Sequence, residues 1–107
     1  MTDPNSLVSV AFQTFAGEAP QHAQAWGEMV QKLAHASALD SKTAALAYLA
    51  VLAVQRAESG IPFHTVAAKQ AGATRTEVIS AILIGLSVAG SVVTKALPAA
   101  LAAYDAE

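Results

Sequence analysis

The chain has 107 residues, no cysteine and a formal net charge of −2 at pH 7, with hydrophobic residues at 54% and charged residues at 13%. The length predicts a single domain over residues 1–107, and the scattered basic residues exclude the basic patch that nucleic-acid binding requires. The lack of cysteine excludes disulfides, thiolate chemistry and metal sites built on cysteine.

The N-terminal third of the chain predicts two helices. Pro4 suits an early helical position, so a first helix is expected to begin there and to include the apolar residues 7–15. Gly17 is expected to end it. Pro20 then begins a second helix, which runs toward Ala38.

The middle of the chain predicts a third and a fourth helix. Asp40 is a good N-cap for the third helix, whose apolar residues include Tyr48 and are expected to be buried nearly all round. Gly60 is expected to stop that helix. Pro62 begins the fourth, and Gly72 suits the position just after its C-terminal cap.

The clearest local signal is a capping box, formed by Thr74 and Glu77, that opens a fifth helix over residues 75–89. Gly90 breaks the chain after it. A sixth helix follows, and Pro98 is expected either to kink that helix or to mark a restart. No segment alternates with strand periodicity, so the sequence predicts an all-α domain of five to six helices.

The chain is more apolar than its size can bury. An ordinary domain has about 45–50% apolar residues on a count that includes glycine, about 25% charged residues, and buries only about 60–65% of its surface at this length. Two environments can cover the excess, a membrane or an oligomer. The longest uncharged run, residues 78–94, is broken by serine and glycine and is shorter than the ~20 residues of a spanning helix.

The N-terminal residues lack the basic segment of a signal peptide. We therefore expect a cytoplasmic homo-oligomer that binds neither membrane nor nucleic acid.

His64 is the first candidate for chemistry. It lies about one turn into the fourth helix, where the helix dipole disfavours the imidazolium and lowers the pKa. A neutral imidazole in an apolar wall suits a general base, a general acid or a hydrogen-bond donor near pH 7. The alternative is a core histidine that donates to a backbone carbonyl.

Other titratable residues give weaker signals. Arg56 and Glu58 precede the turn at Gly60 and are candidates for contact with each other or with a ligand carboxylate, although charges at a helix end are most often solvated. His22 and His35 are expected on the surface. Their spacing from each other and from His64 is too wide for a metal site, so no metal is expected. Trp26 is expected in the core.

The order of features over residues 39–101 resembles the carboxymuconolactone decarboxylase family, which includes the alkylhydroperoxidase D-like proteins. The resemblance is carried by His64, the helix that holds Ala67 and Ala68, the sequence AGAT at residues 71–74, Glu77 and the break at Gly90. It implies an all-helical, alkylhydroperoxidase D-like domain that assembles as a trimer, or as a hexamer built from dimers.

The chain departs from the peroxidase branch of that family at three of four catalytic positions. The resemblance places the redox cysteines of that branch at Ala57 and Gly60 and its proton-relay glutamate at Ala45, so that only His64 remains. Hydroperoxide reduction needs a thiolate nucleophile and a resolving thiol. Thiol peroxidase activity is therefore rejected, and no cofactor is expected.

The decarboxylase branch does not use cysteines, and three hypotheses follow. In the first, the protein is a lyase or isomerase of a small organic acid or lactone, with His64 as acid or base and Arg56 as a possible holder of the substrate carboxylate. In the second, it binds a small ligand without catalysis, in an apolar pocket with His64 alone. In the third, it is a degenerate scaffold in which His64 is buried and fully hydrogen-bonded, with no cavity beside it.

Overall fold

The computed structural model describes residues 7–106, in which every regular element is helical. The helices are α1 Val10–Glu18, α2 Pro20–Ala36, α3 Ser41–Val54, α4 Ile61–Gln70, α5 Arg75–Leu83, α6 Leu86–Ala89 and α7 Leu97–Asp105. Two 3₁₀ segments, Glu58–Gly60 and Gly90–Ala96, precede α4 and α7. The prediction of an all-α domain is confirmed, since six of these helices have at least nine residues and α6 is a single turn.

The core lies among α3, α4, α5, α7 and the second 3₁₀ segment. Its largest fully buried apolar side chains are Leu49, Ile61, Val78, Ile82 and Val93. Each contributes about 1.5–3 kcal/mol through its removal from water. Helices α1 and α2 contribute no buried residue and pack chiefly on each other. The core that positions α4 is therefore built by the C-terminal two thirds of the chain.

The predicted caps of α3 and α5 are confirmed. The Asp40 carboxylate accepts a hydrogen bond of 2.8 Å from the backbone N–H of Thr43. The Thr74 hydroxyl accepts from the Glu77 N–H at 3.0 Å, while the Glu77 carboxylate accepts from the Thr74 N–H at 2.8 Å. Glu77 also pairs with Lys42 at 2.8 Å, which ties α5 to α3. Each cap stabilises its helix by about 0.5–2 kcal/mol.

Two predicted helix ends near the N-terminus and the centre are wrong. Gly17 lies inside α1, which continues to Glu18, and the predicted start at Pro4 lies outside the described residues. Helix α3 ends at Val54 rather than at Gly60. The reason is Arg56, whose φ of 59° is left-handed and takes the chain out of the helical path.

The predicted fifth helix is also too long. Helix α5 stops at Leu83, because the chain must turn to let Gly85 approach α3. A Cβ built on Gly85 would lie 2.8 Å from Cγ2 of Val54, closer than real side chains pack. Gly90 then adopts a φ of 79°, and Pro98 lies in the first turn of α7. The proline therefore marks a restart and not a kink.

Residues 75–105 form the one described run that is long and apolar enough, by length and composition alone, to cross a membrane. A straight helix of that length would hold its ends about 45 Å apart. Here the ends meet, because the Arg75 guanidinium donates to both carboxylate oxygens of Asp105 at 2.9 and 3.1 Å. Tyr104 reinforces the closure, since its hydroxyl donates to the Ala73 carbonyl at 2.8 Å. The run is folded back on itself.

The expected burial of α3 and of two aromatic residues is wrong for the single chain. Tyr48 is 47% exposed, Val51 is 59% exposed and Trp26 is 41% exposed. Only Leu49 and Ala53 of α3 are buried. An apolar helix can be covered by its own core or by another chain, and the sequence pattern is the same in both cases.

Candidate functional site

Helices α3 and α4 bring two ring side chains together at the surface of the core. The imidazole of His64 stacks on the ring of Tyr48, with centroids 4.2 Å apart and an interplanar angle of 23°. Phe63 meets the imidazole edge-on, with centroids 5.2 Å apart. His64 thus contacts aromatic rings from two helices, which restrict the orientation of its own ring.

The start of α4 places His64 in this position. The 3₁₀ segment Glu58–Gly60 leads directly into the helix, and Pro62 in the first turn fixes φ at a helical value. A Cβ built on Gly60 would lie 3.6 Å from Cδ2 of Leu52 and 3.8 Å from Cδ2 of His64. These are ordinary contact distances. Position 60 is therefore a direct neighbour of the imidazole, and glycine leaves that space open.

Burial controls the charge of the imidazole. His64 is half-buried, and this desolvation lowers its pKa from the ordinary value of 6.5. The pKa shift has the direction that the sequence predicts, although its cause is burial and not the helix dipole. No hydrogen bond or ion pair holds either ring nitrogen within residues 7–106. The imidazole is thus mainly neutral at pH 7, with both nitrogens available to a ligand.

Arg56 and Glu58 lie on the turn between α3 and α4, and the structure does not bring their charges together. Neither side chain makes a hydrogen bond or ion pair within the described part of the chain. Arg56 is exposed, and Glu58 is partly buried. Both residues are close to His64 along the chain, but no polar contact joins them to it.

Of the three positions where this chain lacks the residues of the peroxidase branch, Ala57 and Gly60 lie at this turn and Ala45 lies within α3. Ala45 is partly buried in α3, on the helical face that also carries Tyr48 and Leu52. Ala57 precedes the 3₁₀ segment that ends at Gly60. None of the three offers a nucleophile or a proton carrier, so the imidazole is the group at this site that can move a proton near pH 7.

Metal binding has no candidate among the described residues. His22 and His35 are exposed on α2, as expected, and no group of three or more histidine or acidic side chains comes together within residues 7–106.

Sequence reasoning missed two features of the site. Tyr48 was expected in the core, whereas it forms the wall of the imidazole. Its position three residues after Ala45, on the face toward α4, is a signal that could have found it. Thr65 follows His64 and is fully buried, yet its Oγ1 has no hydrogen-bond partner. The sequence does not indicate that a threonine in an apolar helix will lack a hydrogen-bond partner.

A separate groove lies on the far side of α3. It runs between α3 and α5, has a volume of about 650 Å³ and includes Ala47, Ala50 and Ala81 in its lining. Ala47 and Ala50 lie on the helical face opposite Ala45 and Tyr48, because residues of an α-helix advance by about 100°. The groove therefore shares no lining residue with the His64 cluster.

Comparisons with known proteins give one result. The model of the carboxymuconolactone decarboxylase family matches residues 20–104. No curated protein and no solved structure matches the chain significantly.

Proposed function

Since this chain belongs to the carboxymuconolactone decarboxylase family, we propose that it transforms a small organic acid or lactone without thiols, with His64 as acid and base. The observation that supports this function is the half-buried imidazole, stacked on Tyr48 and free of protein partners. A general base must present a neutral nitrogen to its substrate. The lowered pKa keeps His64 in that form through the physiological range.

The proposed reaction passes through an enolate. In an isomerase-type reaction, a C–H bond next to a carbonyl breaks, the electron pair moves onto the carbonyl oxygen, and His64 takes the proton. The imidazolium then returns that proton to another carbon. In a decarboxylase-type reaction, the C–C bond to the carboxylate breaks with release of carbon dioxide, and the remaining carbanion takes a proton from the protonated form of His64, which solvent replenishes. Either route uses one group to move one proton.

The aromatic residues supply the surroundings that such a step needs. Tyr48 and Phe63 shield His64 from water, and a drier site strengthens its interaction with a developing charge. Gly60 leaves the space of about one methyl group beside the ring. Arg56 lies on the turn between α3 and α4 and is the proposed holder of a substrate carboxylate.

A second function, ligand binding without catalysis, has its own support. No charged side chain makes a hydrogen bond or ion pair with His64 within residues 7–106, whereas a decarboxylation site needs a cation or several donors for the anion that forms. An aromatic site with one hydrogen-bonding group suits a small apolar or weakly acidic ligand. The degenerate-scaffold hypothesis has less support, because His64 is neither fully buried nor hydrogen-bonded.

A thermal-shift screen separates these functions. Wild type, His64→Ala and the exposed control His22→Ala are heated with a panel of small lactones, keto acids and hydroperoxides. We expect at least one acid or lactone to stabilise wild type and His22→Ala by several degrees, and His64→Ala much less. A ligand that stabilises all three equally would place binding elsewhere.

Turnover then distinguishes enzyme from binder. Stabilising ligands are incubated in D₂O, and deuterium incorporation and carbon dioxide release are followed by NMR. We expect one of these signals with wild type and its loss in His64→Ala. Binding without either signal would favour the second function, and consumption of hydroperoxide with an added thiol would contradict both.

A further inference from the structure

Helix α2 carries an apolar stripe that nothing within residues 7–106 covers. The stripe follows the i, i+3, i+4, i+7 spacing of one helical face, with exposures of 40–61%, and consists of Trp26, Met29, Val30 and Leu33. Its main neighbour is α1, where Phe12 meets Trp26 edge-on with ring centroids 5.2 Å apart. A helix of 17 residues without a buried face is marginal in water. The stripe therefore needs an apolar surface to pack against.

The whole chain exposes more surface than a compact protein of its mass. Its accessible surface is 7043 Å², whereas a compact monomer of 10.9 kDa exposes about 5,600 Å². The radius of gyration of 14.1 Å likewise exceeds the ~13 Å of a compact domain of this length. The excess of about 1,400 Å² per chain falls within the ~1,000–2,500 Å² that each subunit of an obligate homo-oligomer buries. A second copy of this chain is thus the occupant that the area fits.

The α3–α5 groove is an open, mainly apolar hollow that could receive the stripe. Its lining includes four small side chains, and large side chains of a partner helix pack best into such a hollow. The groove follows α3 over residues 42–50, which span about 12 Å, and the stripe follows α2 over residues 26–33, which span about 10.5 Å. The small residues are Ala47, Ala50, Ser80 and Ala81.

We propose that the stripe of one copy packs into the α3–α5 groove of a second copy. The contact joins two different surfaces, so it closes either as a reciprocal two-fold pair, in which each copy fills the groove of the other, or as a ring of copies. It also covers Ile84, which lines the groove and is 72% exposed in the single chain. Because His64 lies on the opposite side of α3, the assembly can be disrupted without a change in the His64 cluster.

Light scattering after size-exclusion chromatography tests both surfaces. The mass of the wild-type assembly is expected to be a multiple of the 10.9 kDa of one chain. Leu33→Glu in the stripe and Ala47→Arg in the groove should each shift the mass toward that of one chain. The matched control Gln31→Arg lies on the opposite face of α2 and should keep the wild-type mass. A monomeric wild type, or two variants that both stay assembled, would overturn the proposal.

Disulfide mapping tests the pairing directly and does not require disruption of the fold. The chain has no cysteine, so the double variant Met29→Cys, Ala47→Cys offers the oxidant no other thiols. We expect linked chains on a non-reducing gel, as dimers from a two-fold pair or as a ladder from a ring, and little linkage in either single variant. Linkage of the Met29→Cys single variant would show stripe-to-stripe packing. A link within one chain would show that α2 closes on its own groove, and either result overturns the proposal.

Discussion

The imidazole of His64 and the phenol ring of Tyr48 lie nearly parallel, with centroids 4.2 Å apart. They come from different helices, so this contact exists only when α3 and α4 are packed together. The stack removes water from one face of the imidazole, and desolvation is the cause of the lowered His64 pKa. The chemistry of the histidine thus depends on a residue sixteen positions earlier in the chain.

Substitution of Tyr48 should change the titration of His64. Tyr48→Ala exposes the imidazole, so its pKa should rise toward 6.5, whereas Tyr48→Phe retains the ring and should leave the pKa low. Titration of the imidazole protons by NMR measures both variants. The same low pKa in Tyr48→Ala would show that other groups desolvate the ring.

The stability of the protein should fall on acidification through the titration of His64. Its pKa is lower in the folded chain, so the unfolded chain binds more protons below about pH 6.5. The contribution of the neutral histidine is complete above the unfolded pKa and is lost as the pH falls through it toward the folded pKa. Urea unfolding of wild type and His64→Gln at about pH 7.5 and about pH 5.5 should show a smaller pH effect in the variant.

The control for this experiment is His22→Gln, which replaces an exposed histidine and should keep the wild-type pH effect. Three carboxylates, those of Asp40, Glu77 and Asp105, have pKa values lowered mainly by hydrogen bonds. Their contribution is lost at lower pH, below about 4.5. If the free energy of unfolding of His64→Gln changes with pH as much as that of wild type, other groups cause the acid sensitivity.

Replacement of Gly85 should destabilise the fold. In Gly85→Ala, the new methyl group would lie 2.8 Å from Val54 and 3.3 Å from Val93, so the helices must separate. Overpacking of this kind costs about 1–3 kcal/mol. The matched control is Gly27→Ala in α2, where no atom lies within 4 Å, and which should stabilise that helix by about 0.5–1 kcal/mol. Equal unfolding midpoints for the two variants would contradict the close contact.

Replacement of Arg56 by glycine should stabilise the folded protein relative to replacement by alanine. Its φ of 59° costs a residue with a side chain about 1–2 kcal/mol, and glycine avoids most of that cost. Chemical denaturation should show Arg56→Gly to be more stable than Arg56→Ala by about 1 kcal/mol. If Arg56 holds a substrate carboxylate, both variants should also lose affinity for the acid, by similar factors. A glycine variant no more stable than the alanine variant would contradict the strained turn.

The sequence predicted those parts of the fold that depend on neighbouring residues. Asp40 caps α3 through a residue three positions later, and the capping box of α5 is equally local. The end of α5 was not predictable, because it depends on Gly85 meeting Val54, far away in the chain. His64 was found through its helix entrance, whereas its partner Tyr48 was not, since the packing of α3 on α4 decides that contact.

Helices α1 and α2 have no fully buried residue, whereas α3 to α7 contain the core. The first two helices should therefore open locally more easily than the rest of the described chain. Protection of a backbone amide against hydrogen exchange depends on the apolar contacts buried around it. Within residues 7–106, α1 and α2 contain no fully buried residue that could supply such contacts. In a chain kept monomeric by Leu33→Glu, their amides should therefore exchange with solvent far sooner than those near Leu49 and Ile82. A protease that cuts exposed, opened helices should release this hairpin first from that monomer and leave the α3–α7 unit, with its stacked histidine, intact.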